Sequence, residues 1–156
     1  MSTFRLVGLP AEPFEPFFAM SGDELAALGA RRMQAVAPHS APCRVSLVDA
    51  EVGEELILLP WEHQPAHSPY RASGPIFVRR DARRTRLAPG VVPPYVTRRL
   101  MSVRAYDAAD MMVDAAVCEG VDAAAELARL FEDAAVAYVH LHNAKRGCFS
   151  CAVERA

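Results

Sequence analysis

Two histidines, His140 and His142, stand two residues apart in the predicted strand AYVHLHN near the end of the chain. Because successive side chains of a strand point to opposite faces, both imidazoles lie on the same face. Neighbouring imidazoles can bind a metal ion or carry protons in catalysis. The spacing therefore predicts a catalytic or metal-binding pair at His140 and His142, with Zn²⁺ or Fe²⁺ as the candidate metal.

The register of the predicted C-terminal hairpin decides which third ligand would lie near this pair. A five-residue turn places His142 opposite Cys148 and His140 opposite Ser150, whereas a four-residue turn places His140 opposite Cys151. Cys151 is therefore the candidate third metal ligand, and a Cys–His catalytic pair is the other use of a nearby thiol. In the remaining alternative the histidines hydrogen-bond on a polar face and the thiols pack as small apolar groups.

Asp114 is a lone carboxylate in the apolar run MMVDAAV. Burial without a partner would raise its pKa into the range of a general acid or base, which makes Asp114 a candidate catalytic residue. Arg104 on the neighbouring predicted strand would instead form an ion pair with it. We favour the ion pair.

A second group of side chains could recognise an anion. Residues 70 to 74 offer a guanidinium, a hydroxyl and a glycine, and the C-terminal turn adds an amide and two cations. Guanidinium groups bind phosphate and carboxylate through paired hydrogen bonds. The predicted ligand-binding residues are Tyr70, Arg71, Ser73, Gly74, Asn143 and Arg146, with Lys145 beside them. The alternative is a turn in which Arg71 and Ser73 satisfy backbone carbonyls and a surface acid.

The elements that must position these residues are predicted to be short strands. Apolar alternation or continuous apolar runs predict strands over residues 4–9, 43–48, 54–60, 76–78, 100–106 and 111–117, followed by a hairpin at the C-terminus. The polar, proline-containing segment 61–75 is predicted to be an irregular loop. From that loop, His63 and His67 could complete a site with the C-terminal pair.

Two helices complete the prediction. Ser21 and Glu24 have the spacing of a capping box, which predicts a helix from Gly22 to about Ala35. Asp122 is the expected N-cap of a second helix that ends near residue 133. The predicted fold is a single α+β domain over residues 1–156, a curved and mostly antiparallel sheet built from hairpins with both helices on one face.

Composition narrows the class of protein. The chain has 156 residues, a net charge of −2 and no continuous apolar segment of membrane-spanning length, so we expect a cytoplasmic protein whose four cysteines are thiols. Seven of the basic residues fall between positions 79 and 99 with Tyr95 as the one aromatic, so we expect a solvated connection and no nucleic-acid binding. We expect no membrane partner either, and the oligomeric state stays open.

Four blocks of the sequence resemble a bacterial family known only as a domain of unknown function, number 1203. These blocks are CRVSLVDA (43–50), LLPWEHQPAHSPYRASGPIFVRR (58–80), RAYDAADMMVDA (104–115) and AYVHLHNAKRGCFSCAVERA (137–156). The resemblance implies a single-domain bacterial protein and assigns no residue a role. The residues themselves favour a small-molecule enzyme with a histidine-containing cleft, with or without a metal. The alternative is a non-catalytic module that binds an anionic metabolite or a partner protein.

Overall fold

The computed structural model describes residues 4–156, in which ten strands form two sheets. The strands are β1 (Phe4–Val7), β2 (Arg31–Gln34), β3 (Pro42–Cys43), β4 (Val48–Asp49), β5 (Glu55–Gln64), β6 (Ala72–Arg79), β7 (Leu100–Tyr106), β8 (Met112–Glu119), β9 (Tyr138–Asn143) and β10 (Phe149–Arg155). The helices are α1 (Gly22–Ala27), α2 (Pro94–Thr97) and α3 (Ala123–Phe131), with short 3-10 helices at Glu12–Ala19 and Gly120–Asp122.

The strands divide into two five-stranded sheets where the sequence predicted one. The first sheet has the order β1-β10-β9-β7-β8 and the second the order β2-β5-β6-β3-β4. All strand pairs are antiparallel except β3 with β6, which is parallel. The prediction of an α+β fold with mostly antiparallel strands is confirmed. No helix within residues 4–156 combines the length and the apolar character needed to cross a membrane.

Each sheet has its own apolar core. On the first sheet, Leu127, Leu130 and Phe131 of α3 pack with inward residues of the strands such as Val103 and Leu141. The face of the sheet that packs against α3 is lined by alternate residues of each strand, because successive side chains point to opposite faces. The opposite face of the same strands is left to the polar and aromatic residues that form the candidate site.

The first helix is much shorter than predicted. The capping box is confirmed, since the Ser21 side chain accepts from the Glu24 N–H and the Glu24 side chain accepts from the Ser21 N–H. The helix ends early because Gly29 adopts φ +72° and the N–H of Ala30 returns to the carbonyl of Leu25. Residues 31–34, predicted to be helical, form the outer strand β2.

The segment predicted as an irregular loop is largely strand. β5 continues through Trp61, His63 and Gln64, and β6 already begins at Ala72. The two strands pair from Leu56 with Arg79 to Gln64 with Ala72, with a register shift near Trp61. This long hairpin carries His63 towards the polar face of the first sheet.

Candidate functional site

The C-terminal hairpin presents its histidines on the face of the first sheet that α3 does not cover. Val139 and Leu141 of β9 belong to the apolar core, so the alternate residues His140 and His142 point to the other face. There they lie opposite Arg104 and Ser102 of β7. Both imidazoles are buried, with 6 % and 2 % of their surface exposed.

A third histidine joins them from the second sheet. The ring centroid of His63 lies 5.2 Å from that of His142 and 6.5 Å from that of His140. The ring of Phe149 stands among the three, at centroid distances of 5.2 Å from His63, 5.1 Å from His140 and 5.8 Å from His142. We call these four residues the histidine cluster. The expectation that His63 approaches the C-terminal pair is met, whereas His67 is exposed.

The environment keeps the two strand histidines uncharged. Burial lowers the pKa of His140 to about 3, and protonation of His142 or His63 and the charge of Arg104 act in the same direction. Burial also lowers the pKa of His142 to about 4, against the opposing effect of its hydrogen bond to Gly147. In that bond Nδ1–H of His142 donates to the Gly147 carbonyl, so Nε2 carries a bare lone pair. This Nε2 and Nδ1 of His140 are buried without a hydrogen-bond partner.

The observed register corrects both predicted registers of the hairpin. Phe149 lies opposite His142, and Cys151 lies opposite Leu141 after a bulge at position 150. The side chain of Cys151 therefore packs in the apolar core on the other side of the sheet, where burial raises its thiol pKa to about 12. The prediction that Cys151 is a third metal ligand is therefore wrong. Within residues 4–156, no group of three His, Cys, Asp or Glu side chains is placed to hold a metal ion.

Asp114 is not the buried carboxylate that its apolar surroundings predict. It lies on the edge strand β8, where it is exposed and forms an ion pair with Arg129 of α3 at 3.2 Å. The favoured alternative of an ion pair is correct in kind, but the partner is Arg129. Arg104 points to the opposite face, because Asp114 pairs with Ala105 in the ladder.

The predicted anion-binding residues fall into two separate places. Arg71 is exposed and pairs with Glu62, while Ser73 and Gly74 lie in strand β6 beside a shallow surface recess. Tyr70 packs edge-on against Tyr106, at 6.0 Å between ring centroids. Asn143 and Arg146 lie elsewhere, in a cavity that residues 70–74 do not line.

That cavity lies where the β9–β10 turn meets β3, β6 and the segment after α2. It has a volume of about 340 Å³, which is within the range of small-molecule sites. Five cationic side chains line it, and no carboxylate does. We call it the cationic pocket; its charged and polar lining residues are His39, Ser40, Arg44, Arg98, Arg99, Asn143, Lys145, Arg146 and Cys148. A larger recess of about 580 Å³ beside Arg79 and Arg80 differs, since both arginines are paired with glutamates.

Arg44 is the most unusual residue of the cationic pocket. It is only 1 % exposed, yet none of the ion pairs within residues 4–156 includes it. Its guanidinium donates to the carbonyls of Phe149 at 2.7 Å and Pro42 at 2.5 Å, and to the sulfur of Cys148 at 3.2 Å. A buried charge without an opposite charge costs several kcal/mol. Within residues 4–156, the buried positive charge of Arg44 therefore meets two carbonyls and a sulfur but no carboxylate.

The carboxylate of Asp49 neutralises only part of the positive charge of the other cationic residues that line the pocket. Its buried carboxylate accepts from Arg98 at 2.5 Å and from Arg99 at 2.5 Å, and His39 lies 3.6 Å away. Burial by itself raises the pKa of Asp49, but the hydrogen bonds and charges of Arg99 and Arg98 outweigh it and hold this pKa below its usual value. The prediction that residues 79–99 are a solvated connection is wrong for Arg99, which is anchored in the wall of a cavity.

The sequence did not indicate Arg44, Arg98 or Arg99 as site residues. In a strand over CRVSLV, the period-two alternation places Arg44 on the polar face, away from Cys43 and Val45. In the structure the strand is interrupted after Cys43, so Arg44 turns inward below β10. The signal for this burial lies in contacts about one hundred residues away, which local patterning does not contain.

Comparison with known proteins identifies the family. The family model described as "Protein of unknown function (DUF1203)" matches residues 40–155. No curated protein and no solved structure matches the chain. The matched span contains strands β3 to β10, with the histidine cluster and the whole cationic pocket apart from His39. The chain thus belongs to the DUF1203 family of proteins of unknown function.

Proposed function

We propose that the protein binds a small anionic molecule, with a phosphate or carboxylate group, in the cationic pocket. The observation that carries this proposal is the buried guanidinium of Arg44, which has no carboxylate partner within residues 4–156. An anion in the pocket would supply the missing opposite charge. Arg44 would then act chiefly through the electrostatic attraction of its charge, since three of its five N–H donors already bind two carbonyls and a sulfur.

The neighbouring side chains supply the donors that would contact the anion directly. Lys145 and Arg146 project from the exposed β9–β10 turn and form no ion pair within the described part of the chain. Arg98 and Arg99 share one carboxylate between two guanidinium groups. Guanidinium donors match the oxygens of phosphate and carboxylate in pairs, so this lining is well suited to such groups.

Inorganic phosphate is the first probe of this proposal. At saturating concentration and constant ionic strength we expect phosphate, relative to chloride, to raise the melting temperature by about 5 °C. In Arg44→Gln the same phosphate increment should fall below about 1 °C, because the amide carries no charge. Differential scanning fluorimetry of both proteins measures the increment independently of any change in basal stability.

Arg31→Ala is the matched control, since it removes an exposed arginine of β2 outside the pocket. This variant should keep the full phosphate increment, while Arg146→Ala should lose most of it. Equal increments in wild type and Arg44→Gln, or no increment with phosphate, citrate or acetate in the wild type, would contradict the proposed function.

A second candidate function is a small-molecule enzyme that uses the histidine cluster. It is supported by the bare Nε2 of His142, which is buried, unpartnered and uncharged at neutral pH. Such a nitrogen can accept a proton from a substrate or bind Zn²⁺ or Fe²⁺. The ring of Phe149, within 5.8 Å of all three imidazoles, would have to move for a metal ion shared by them.

Equilibrium dialysis against Zn²⁺ tests the metal-assisted version of this enzyme. If the enzyme is metal-assisted, Phe149 moves aside, the wild type binds one equivalent with at least micromolar affinity, and each of His140→Gln and His142→Gln lowers that affinity about tenfold. His67→Gln, which removes an exposed histidine, should bind as the wild type does. Zn²⁺ binding that is absent, or insensitive to both cluster substitutions, would exclude the metal-assisted version.

A further inference from the structure

Cys148 differs from the other three cysteines in its surroundings. Cys43 and Cys151 are buried in apolar cores. Cys118 is half-buried on β8, and burial together with the nearby acids Glu126, Asp122 and Glu119 raises its thiol pKa. Cys148 instead lines the cationic pocket. A reagent with negative charge is therefore repelled from Cys118 and attracted to Cys148.

The sulfur of Cys148 is also held in a defined position. The Arg44 guanidinium donates to Sγ at 3.2 Å, and Nδ2 of Asn143 donates to it at 3.7 Å. The turn itself is fixed by hydrogen bonds from the Asn143 N–H to the Cys148 carbonyl and from the Gly147 N–H to the Asn143 carbonyl. These contacts place one nucleophilic atom in the wall of a cavity lined by cations.

We propose that Cys148 is a modification site that forms a mixed disulfide with a small thiol compound bearing carboxylate groups. The inference rests on the proposed function, because the cationic pocket is what holds the carboxylates beside the sulfur. A pocket of about 340 Å³ is large enough for a small thiol compound. The anionic disulfide form of the compound is the oxidant.

The reaction is a thiol–disulfide exchange. The Cys148 thiol gives its proton to solvent, the resulting thiolate attacks one sulfur of the bound disulfide, a new S–S bond forms, and the old S–S bond breaks. The other half of the compound leaves as a thiolate with the electron pair of the broken bond. One disulfide is consumed and one mixed disulfide is made, so electrons balance without a further oxidant. Cys43 and Cys151 are buried, so neither offers an exposed thiol to release the adduct.

The test uses 5,5′-dithiobis(2-nitrobenzoate), a dianionic disulfide that releases a coloured thiolate with each exchange. Cys118→Ser retains Cys148 as the accessible thiol, and Cys148→Ser retains Cys118. We expect Cys148 to react about thirtyfold faster than Cys118, because local positive charge concentrates an anionic reagent. With the neutral disulfide 4,4′-dithiodipyridine the preference should fall to about threefold or less, since that attraction is absent.

Two further measurements locate the cause in the pocket. Phosphate should slow the reaction of Cys148 with the anionic reagent, and Arg146→Ala should slow it about fivefold, while Arg31→Ala should have no effect. Equal rates for Cys148 and Cys118, or the same preference with both reagents, would overturn the inference.

The phosphate increment in melting temperature separates this inference from the proposed function. Cys118→Ser, the variant that retains Cys148, should keep that increment, because Cys118 lies outside the cationic pocket. A phosphate increment in melting temperature together with slow labelling of Cys148 overturns the thiol inference and supports the anion pocket. An absent increment overturns the anion pocket and the inference built on it.

Discussion

Acidification from pH 7.5 to pH 5.0 is expected to lower the free energy of unfolding by about 4 kcal/mol through two buried histidines. His140 and His142 are almost completely buried and uncharged, with pKa values of about 3 and about 4 in the folded protein. In the unfolded chain the same imidazoles have their ordinary pKa of 6.5. Protons therefore bind to the unfolded chain first.

The sign and the size of the stability change follow from this difference in pKa between the folded and unfolded states. At pH 7.5 both states are uncharged at these positions, and the histidines make no pH-dependent contribution. At pH 5.0 each is protonated in the unfolded chain and neutral in the folded protein, which favours unfolding by about 2 kcal/mol per histidine. The stability is fully present above pH 6.5 and is lost as the pH falls towards 4. The lowered pKa of His63 acts in the same direction.

Urea unfolding between pH 7.5 and pH 5.0 measures the effect. His140→Gln and His142→Gln should each remove about half of the pH dependence, because a glutamine does not titrate, while His67→Gln should leave it unchanged. Imidazole resonances provide a direct check in the wild type. Signals of His140 and His142 that titrate near pH 6.5 in the folded protein would contradict the burial of neutral histidines.

The parts of the fold that the sequence predicted depend on residues close together in the chain. The capping box of Ser21 and Glu24 and the hairpins β7–β8 and β9–β10 are local, and each is present. The end of α1 depends on the positive φ of Gly29, although the sequence pattern that predicts a helix continues beyond this residue. The parallel pairing of β3 with β6 joins Cys43 to Phe77, and no local pattern specifies it.

The candidate site was only half predictable for the same reason. Two-residue spacing placed His140 and His142 on one face of β9. The sequence predicts a loop around the third histidine, His63, because polar residues and prolines surround it, yet pairing with β6 keeps it in a strand. A bulge at Ser150 moved Cys151 to the other face, and a single inserted residue has that effect on every following side chain.

One turn connects the histidine cluster with the cationic pocket. His142 donates to the carbonyl of Gly147, and Arg44 donates to the carbonyl of Phe149, whose ring stands among the histidines. Cys148 lies between these two anchor points, Lys145 and Arg146 lie directly before them in the same turn, and all three line the pocket. The position of the pocket wall therefore depends on hydrogen bonds from both sites.

Asp49→Asn is expected to lower the free energy of unfolding by about 3 kcal/mol, because it leaves Arg98 and Arg99 without their shared carboxylate. Phosphate should restore more stability to this variant than it adds to the wild type, since an anion can replace the lost charge. Urea unfolding of both proteins in phosphate and in chloride, at equal ionic strength, measures the difference.

Glu55→Gln is the matched control for loss of a carboxylate shared by two arginines. Glu55 bridges Arg32 and Arg80 at the protein surface, where such pairs contribute less than about 1 kcal/mol. Phosphate should stabilise this variant no more than the wild type, because its arginines do not line the cationic pocket. If phosphate stabilises Asp49→Asn only as much as Glu55→Gln, Arg98 and Arg99 do not receive the anion. Phosphate recovery specific to Asp49→Asn would show that an anion can take the place of the Asp49 carboxylate beside them.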